Sequence, residues 1–87
     1  MVKQNTTDKL HVIARAPFHV FHDGNADALS GLNSVGEFSI LPGHADFFSM
    51  LLPGPIEIIN NEEVTRFTLE SGLVTVRQNE VYLFVNV

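Results

Sequence analysis

The sequence predicts an all-β domain: a small flattened β-sandwich or barrel of about eight to ten mostly antiparallel strands. From Leu10 onward, short segments rich in Val, Ile, Phe and Thr are separated by Gly, Pro and Asn. Within them apolar residues recur at every second position, the period of a half-buried strand. An apolar repeat of 3.6 residues is nowhere sustained over about ten residues.

The elements follow in order. Residues 1–8 are polar and read as a mobile arm ahead of a domain spanning 9–87. Leu10, Val12, Ala14 and Ala16 share one face at period two. Pro17 lacks an amide donor and interrupts the ladder, and residues 18–22 resume it with Phe18 and Val20 aligned. Asp23-Gly24 reads as a turn or bulge. Residues 25–30 form a weaker strand with Ala26 and Ala28 on one side, and 31–36 read as a loop. A short strand over 37–41 is stopped by Pro42-Gly43. Residues 47–52 fit a strand or a single helical turn equally well, and Pro53-Gly54-Pro55 breaks the chain again. The remainder reads as a meander: 56–59 and 64–69 flank Asn60-Asn61, and 73–77 and 80–85 flank Gln78-Asn79. Asn tolerates the positive φ of such tight turns.

One strand is apolar on both sides. Val81, Leu83 and Val85 share one face, Tyr82 and Phe84 the other, whereas antiparallel sheets usually keep one face polar. Either another layer of the same sandwich covers Tyr82 and Phe84, or they meet another protein. The same alternatives hold for Phe47-Phe48 and Met50-Leu51-Leu52.

Composition narrows the function. The 87 residues suffice for one domain, and 45% hydrophobic against 17% charged excludes disorder. Without cysteine there are no disulfides, thiolate metal sites or cysteine nucleophiles. A net charge of −5 repels phosphate backbones, which argues against nucleic-acid and anionic-membrane binding. The first eight residues lack the apolar run of a secretion signal, and 47–52 is too short to span a bilayer, so a soluble cytoplasmic protein is expected.

The search for chemistry returns no catalytic, cofactor-binding or metal residue. His19 and His22 are three apart and point to opposite faces of a strand. A cupin-type metal site wants two histidines one residue apart, then a glutamate and a later histidine. Pro42-Gly43-His44 faintly resembles its second half, but the first half is absent. Gly31 and Gly36 have P-loop spacing, yet Glu37-Phe38 stand where Lys and Ser or Thr are required. No serine sits in a Gly-x-Ser-x-Gly elbow, and Glu62-Glu63 belongs to a solvated hairpin tip.

The stretch from Gly36 through Glu37, Pro42, Gly43, His44 and Ala45 is the most distinctive. It resembles the signature of the N-terminal domain of the epsilon subunit of F-type ATP synthases. Asp23-Gly24-Asn25-Ala26-Asp27 is similar to that family's Glu-Gly-Glu-Ala/Val-Asp strand. Ser71-Gly72-Leu73-Val74-Thr75-Val76-Arg77 is similar to its Gly-Gly-Phe-Leu-Glu-Val-Arg. The likeness covers about residues 10–86, with three motifs in order. It departs from the family at Asp46-Phe47-Phe48, where Pro-Leu-Leu is usual, and at Leu32-Asn33 and Ser71, where Pro-Gly and Gly are usual.

The resemblance implies a ten-stranded flattened sandwich in the rotor's central stalk, at the cytoplasmic face of a bacterial plasma membrane. One face packs on the gamma subunit and one end rests on the membrane ring of c subunits, peripheral to the bilayer. A sheet of paired strands shears little and carries torque between them, coupling proton or sodium flow to ATP synthesis. Glu37 lies in the region presented to the ring, with Pro42, Gly43, His44 and Ala45 as the corner beside it. Glu37 would pair with basic ring loops, and His44 would either bond across the interface or tie its own corner. Tyr82 and Phe84 acquire a candidate partner in gamma. Family members usually continue into a helical hairpin. The chain stops at Val87, so the expectation is a coupling subunit without that inhibitory element or a nucleotide site. The alternatives are a small cupin-like metal-dependent enzyme and a free-standing binding module.

Overall fold

The computed structural model describes residues 9–87, so the arm expected over 1–8 lies outside the described residues. Nine strands build two sheets: β1 (Leu10–Ala16), β2 (His19–Ala26), β3 (Ala28–Asn33), β4 (Gly36–Ile40), β5 (Phe47–Leu51), β6 (Gly54–Asn60), β7 (Glu63–Leu69), β8 (Ser71–Arg77) and β9 (Glu80–Asn86). One sheet has the order β2-β1-β9-β8-β5, the other β4-β3-β6-β7. All pairs are antiparallel except β1 with β9. Among the described residues no helix is long and apolar enough to cross a membrane.

The core is the sum of the period-two faces. Leu10, Val12 and Ala14 from β1, Val81, Leu83 and Val85 from β9, and Val74 and Val76 from β8 face Leu29, Ile40, Ile56, Ile58 and Leu69 of the second sheet. Among the described residues no polar or charged side chain is buried, so nothing ionisable is held inside.

Several local expectations are corrected. Pro17-Phe18 is the two-residue tip of the β1–β2 hairpin, and β2 then runs straight through Asp23-Gly24 to Ala26. The irregularity falls earlier: Ala14 opposes His22 while Arg15 opposes Val20, leaving Phe21 as the extra residue of a bulge. The bulge re-aims Phe21 onto Phe67 of the other sheet, with ring centroids 4.1 Å apart and planes 13° apart. The break assigned to Asp23-Gly24 comes instead at Asp27, where the chain passes between sheets. Residues 31–33 belong to β3 and not to a loop, and residues 47–51 are a strand. The final segments form two hairpins in different sheets, parted by Glu70, in place of one meander. In the β8–β9 hairpin Gln78 and Asn79 both have positive φ, 52° and 68°, as a type I′ turn requires.

The strands run end to end, so the sandwich has two ends. At one lie the β4–β5 corner around Gly43, the tips of the β6–β7 and β8–β9 hairpins, and the β2–β3 crossing at Asp27. At the other lie the tips of the β1–β2 and β3–β4 hairpins, carrying Phe18 and Val35.

Candidate functional site

The outer faces of the two sheets differ in kind. Across the four-stranded sheet, Ser39, Ser30, Glu57 and Arg66 follow one another from β4 to β7. Arg66 Nη1 donates to Glu57 Oε2 at 2.7 Å, and the two serine hydroxyls lie 3.4 Å apart. This is a solvated face whose polar groups serve one another. Across the five-stranded sheet the corresponding rows are Arg15, Phe84, Leu73, Met50 and Ile13, Tyr82, Thr75, Phe48. Tyr82 and Phe84 stack with planes 8° apart and centroids 6.4 Å apart. They stay 41% and 46% exposed, and Phe48 and Met50 are 62% and 66% exposed. No layer of the same sandwich covers them, so of the two readings of Tyr82 and Phe84 the covered one fails. A contiguous field of large apolar side chains of this kind marks an interaction site.

The signature residues do not form one cluster. Glu37 sits at the start of β4 opposite Leu32, next to the exposed Val35 tip, and points to the polar outer face. Pro42, Gly43, His44 and Ala45 follow the far end of the same strand. The corner is therefore not beside Glu37, because β4 is extended at about 3.3 Å per residue and separates them. Gly43 has φ +87° and its amide donates to Asn79 Oδ1 at 2.8 Å, while the Asn79 carbonyl accepts from His11 N at 2.8 Å. His44 Nδ1 lies 2.7 Å from the Ala45 carbonyl, and its ring meets Phe47 edge-on at 5.5 Å. These contacts lie within the corner itself, as the reading in which His44 ties its own backbone requires.

The other imidazoles are equally local. His11 lies 3.0 Å from Glu80 and 3.8 Å from Asp23, His22 Nε2 is 3.1 Å from the Asn25 carbonyl, and His19 packs edge-on against Phe21 at 4.4 Å. Among the described residues no three His, Asp or Glu side chains converge as metal ligands. Among the described residues the one shifted carboxyl is Asp27. The Asn61 amide at 2.6 Å, then Lys9 at 3.2 Å, hold it below its ordinary value of 3.8. Lys9 Nζ also donates to Asn60 Oδ1 at 2.6 Å, closing this end of the sandwich. Sequence reasoning singled out neither Arg15 nor Leu73, because their place on the apolar face follows from strand order alone.

Comparison with known proteins agrees with this architecture. A chain of the Euglena gracilis mitochondrial ATP synthase assembly of OSCP, F1 and c-ring superposes with a TM-score of 0.82 at 16% identity, over 88% of this chain and 50% of that one. A chain of the Tetrahymena thermophila mitochondrial ATP synthase central stalk and c-ring gives 0.80 at 22% identity, over 92% and 65%. At such identities these likenesses speak to fold. Among curated relatives, the ATP synthase epsilon chain of Maricaulis maris is 35% identical over 79% of this chain and 52% of its own length. That of Leptospira borgpetersenii is 32% identical over 90% and 61%. The chain thus spans between half and two-thirds of these relatives' length. The model of the ATP synthase delta/epsilon chain beta-sandwich domain matches residues 9–87. With three ordered motifs, the two-sheet fold and this match in agreement, the chain belongs to the ATP synthase delta/epsilon beta-sandwich family.

Proposed function

We propose that this chain is a non-catalytic rotor subunit of an F-type ATP synthase that joins the gamma subunit to the c-ring. It then sits at the cytoplasmic face of a bacterial plasma membrane without entering the bilayer. The single observation that carries the reading is the asymmetry of the two outer faces. A rotor element must be gripped on one face, and only the five-stranded sheet offers an apolar field with a polar margin, the anatomy of a protein interface. In this reading gamma takes that face through Tyr82 and Phe84.

The ring takes the end that carries Glu37. Glu37 is exposed and without an ion-pair partner among the described residues, so it is available to basic ring loops. Val35 projects beside it with 93% exposure, and Phe18 projects from the same end across the sandwich with 101% exposure, apolar tips awaiting a surface. Pro42, Gly43, His44 and Ala45 act from the opposite end. They brace the β8–β9 hairpin through Asn79 and so fix the strand bearing Tyr82 and Phe84.

Co-expression with cognate gamma and c subunits tests the proposal. The expected result is a stable complex with gamma, weakened by Phe84→Asp, and ring association weakened by Glu37→Lys. A chain that assembles with neither, or that purifies with a stoichiometric metal and hydrolytic activity, would overturn it.

A further inference from the structure

The apolar face has a shape as well as a composition. β9 and β5 flank β8, and their outward side chains, Tyr82 and Phe84 on one side and Phe48 and Met50 on the other, form two ridges. Between them β8 presents Leu73 and the small Thr75 at its middle, with Ser71 and Arg77 at its ends. The result is a valley with a depression at each end, one of about 410 Å³ among Arg15, Pro17, Met50, Leu73 and Phe84, the other of about 580 Å³ among Phe48, Thr75, Arg77 and Tyr82. The ridge axes stand two strand spacings apart, about 9.6 Å, so a helix of roughly 10 Å diameter would ride on both ridges at once with one stripe of side chains dipping between them. The seven residues of β8 extend for about 20 Å, the length of roughly 14 helical residues at 1.5 Å each.

Charge narrows the occupant further. Arg15 is the one charged residue lining the smaller depression beside Phe84, whereas Asp46, Arg77 and Glu80 together line the other. The Arg15 guanidinium reaches only the Ala16 and Pro17 carbonyls, each at 3.4 Å, with no acid lining its depression, whereas Lys9 and Arg66 are paired with carboxylates and Arg77 shares its depression with Asp46 and Glu80. In a chain of net charge −5, a guanidinium without a carboxylate at the edge of an apolar groove calls for an acid on the partner.

We infer that the occupant of this valley is an amphipathic helix of the gamma subunit, laid along β8. Its aliphatic stripe at positions i, i+3 or i+4, and i+7 fills the space over Leu73 and Thr75. An Asp or Glu on its flank pairs with Arg15. The inference rests on the gamma assignment above and adds the occupant's secondary structure, direction and charge.

The test uses the full chain with a photo-crosslinking benzoylphenylalanine at Thr75, mixed with cognate gamma and mapped by mass spectrometry. Crosslinks recurring every three or four gamma residues support the helix. Crosslinks at every second residue, or to a second copy of this chain, overturn it. Arg15→Glu should weaken gamma binding about tenfold, Arg15→Lys should retain most of it, and reversing the mapped gamma acid to Arg should rescue Arg15→Glu. Ser39→Arg on the polar sheet should change nothing. Loss of binding by the unmodified chain would strike the rotor reading itself. Binding that persists unchanged in Arg15→Glu and Leu73→Arg, both verified as folded by circular dichroism, would strike the helix alone.

Discussion

Gly72→Ala is the substitution whose outcome the structure constrains most tightly. Gly72 pairs with Val85 of β9 on one side and Leu51 of β5 on the other. A methyl at its Cα would stand 2.6 Å from the Phe84 carbonyl oxygen and 3.3 Å from Val85 Cα. Both are backbone atoms of the adjacent strand, which cannot step aside as a side chain does. Relief requires β8 and β9 to part locally, adding an overpacking strain of about 1–3 kcal/mol. One weakened ladder hydrogen bond adds about 1 kcal/mol. Against this, alanine lowers the entropy of the unfolded chain by about 0.4–1 kcal/mol. The net expectation is a loss of about 2–3 kcal/mol, which at a urea slope near 1 kcal/mol/M lowers the midpoint by about 2–3 M. Equilibrium urea unfolding followed by circular dichroism reads this directly. Two controls give the reasoning its edge. At Gly31 the added methyl meets only side-chain tips, Ile56 Cδ1 and Phe38 Cζ, each at 2.9 Å, so the loss should be about 1 kcal/mol. At Gly24 its nearest neighbour is His22 Nε2 at 4.0 Å, and Gly24→Ala should be neutral or slightly stabilising. A Gly72→Ala protein within about 0.5 kcal/mol of the parent, or less damaged than Gly31→Ala, would refute the claim that β9's backbone sets the limit.

Other outcomes follow from single features. Leu83→Ala, at the fully buried centre of β9, should cost about 2–5 kcal/mol in the same titration. Gly43→Ala, at φ +87° with open space around it, should cost about 1 kcal/mol through backbone strain in the same titration. Asp27 has a depressed folded-state pKa, so its contribution is present above its ordinary value of 3.8 and is lost as pH falls through the folded value. Thermal melts of parent and Asp27→Asn should therefore differ at neutral pH and converge as the pH falls through the depressed folded-state value.

How much of this was legible in the sequence depended on whether the determinant was local. The period-two faces of β1, β8 and β9 declared the core, and Gln78-Asn79 declared its turn, because each is decided within a few residues. Asp23-Gly24 misled for the same reason: a good turn dipeptide in an edge strand is overridden by pairing with Val12 and Ile13. Residues 47–51 gave no periodic preference, and their pairing with β8, more than twenty residues away, made them a strand. The site was less legible than the fold. Tyr82 and Phe84 stood out on their own strand. That Phe48, Met50 and Arg15 join them follows from the order β1-β9-β8-β5, which no local signal carries. Glu37 and His44 looked adjacent because they are seven apart, yet one extended strand delivers them to opposite ends.

The parallel seam between β1 and β9 has a bearing on how the molecule is made. The central strand of the larger sheet is the last of the nine to leave the ribosome. Until residues 80–86 emerge, the β1–β2 hairpin and the β5–β8 pair have no common neighbour. Each exposes an open edge and half of an unfinished interior. Such long-range pairing folds late and slowly, so the two halves of the larger sheet keep open edges until β9 closes between them, and closure by that strand is the act that joins them into a domain.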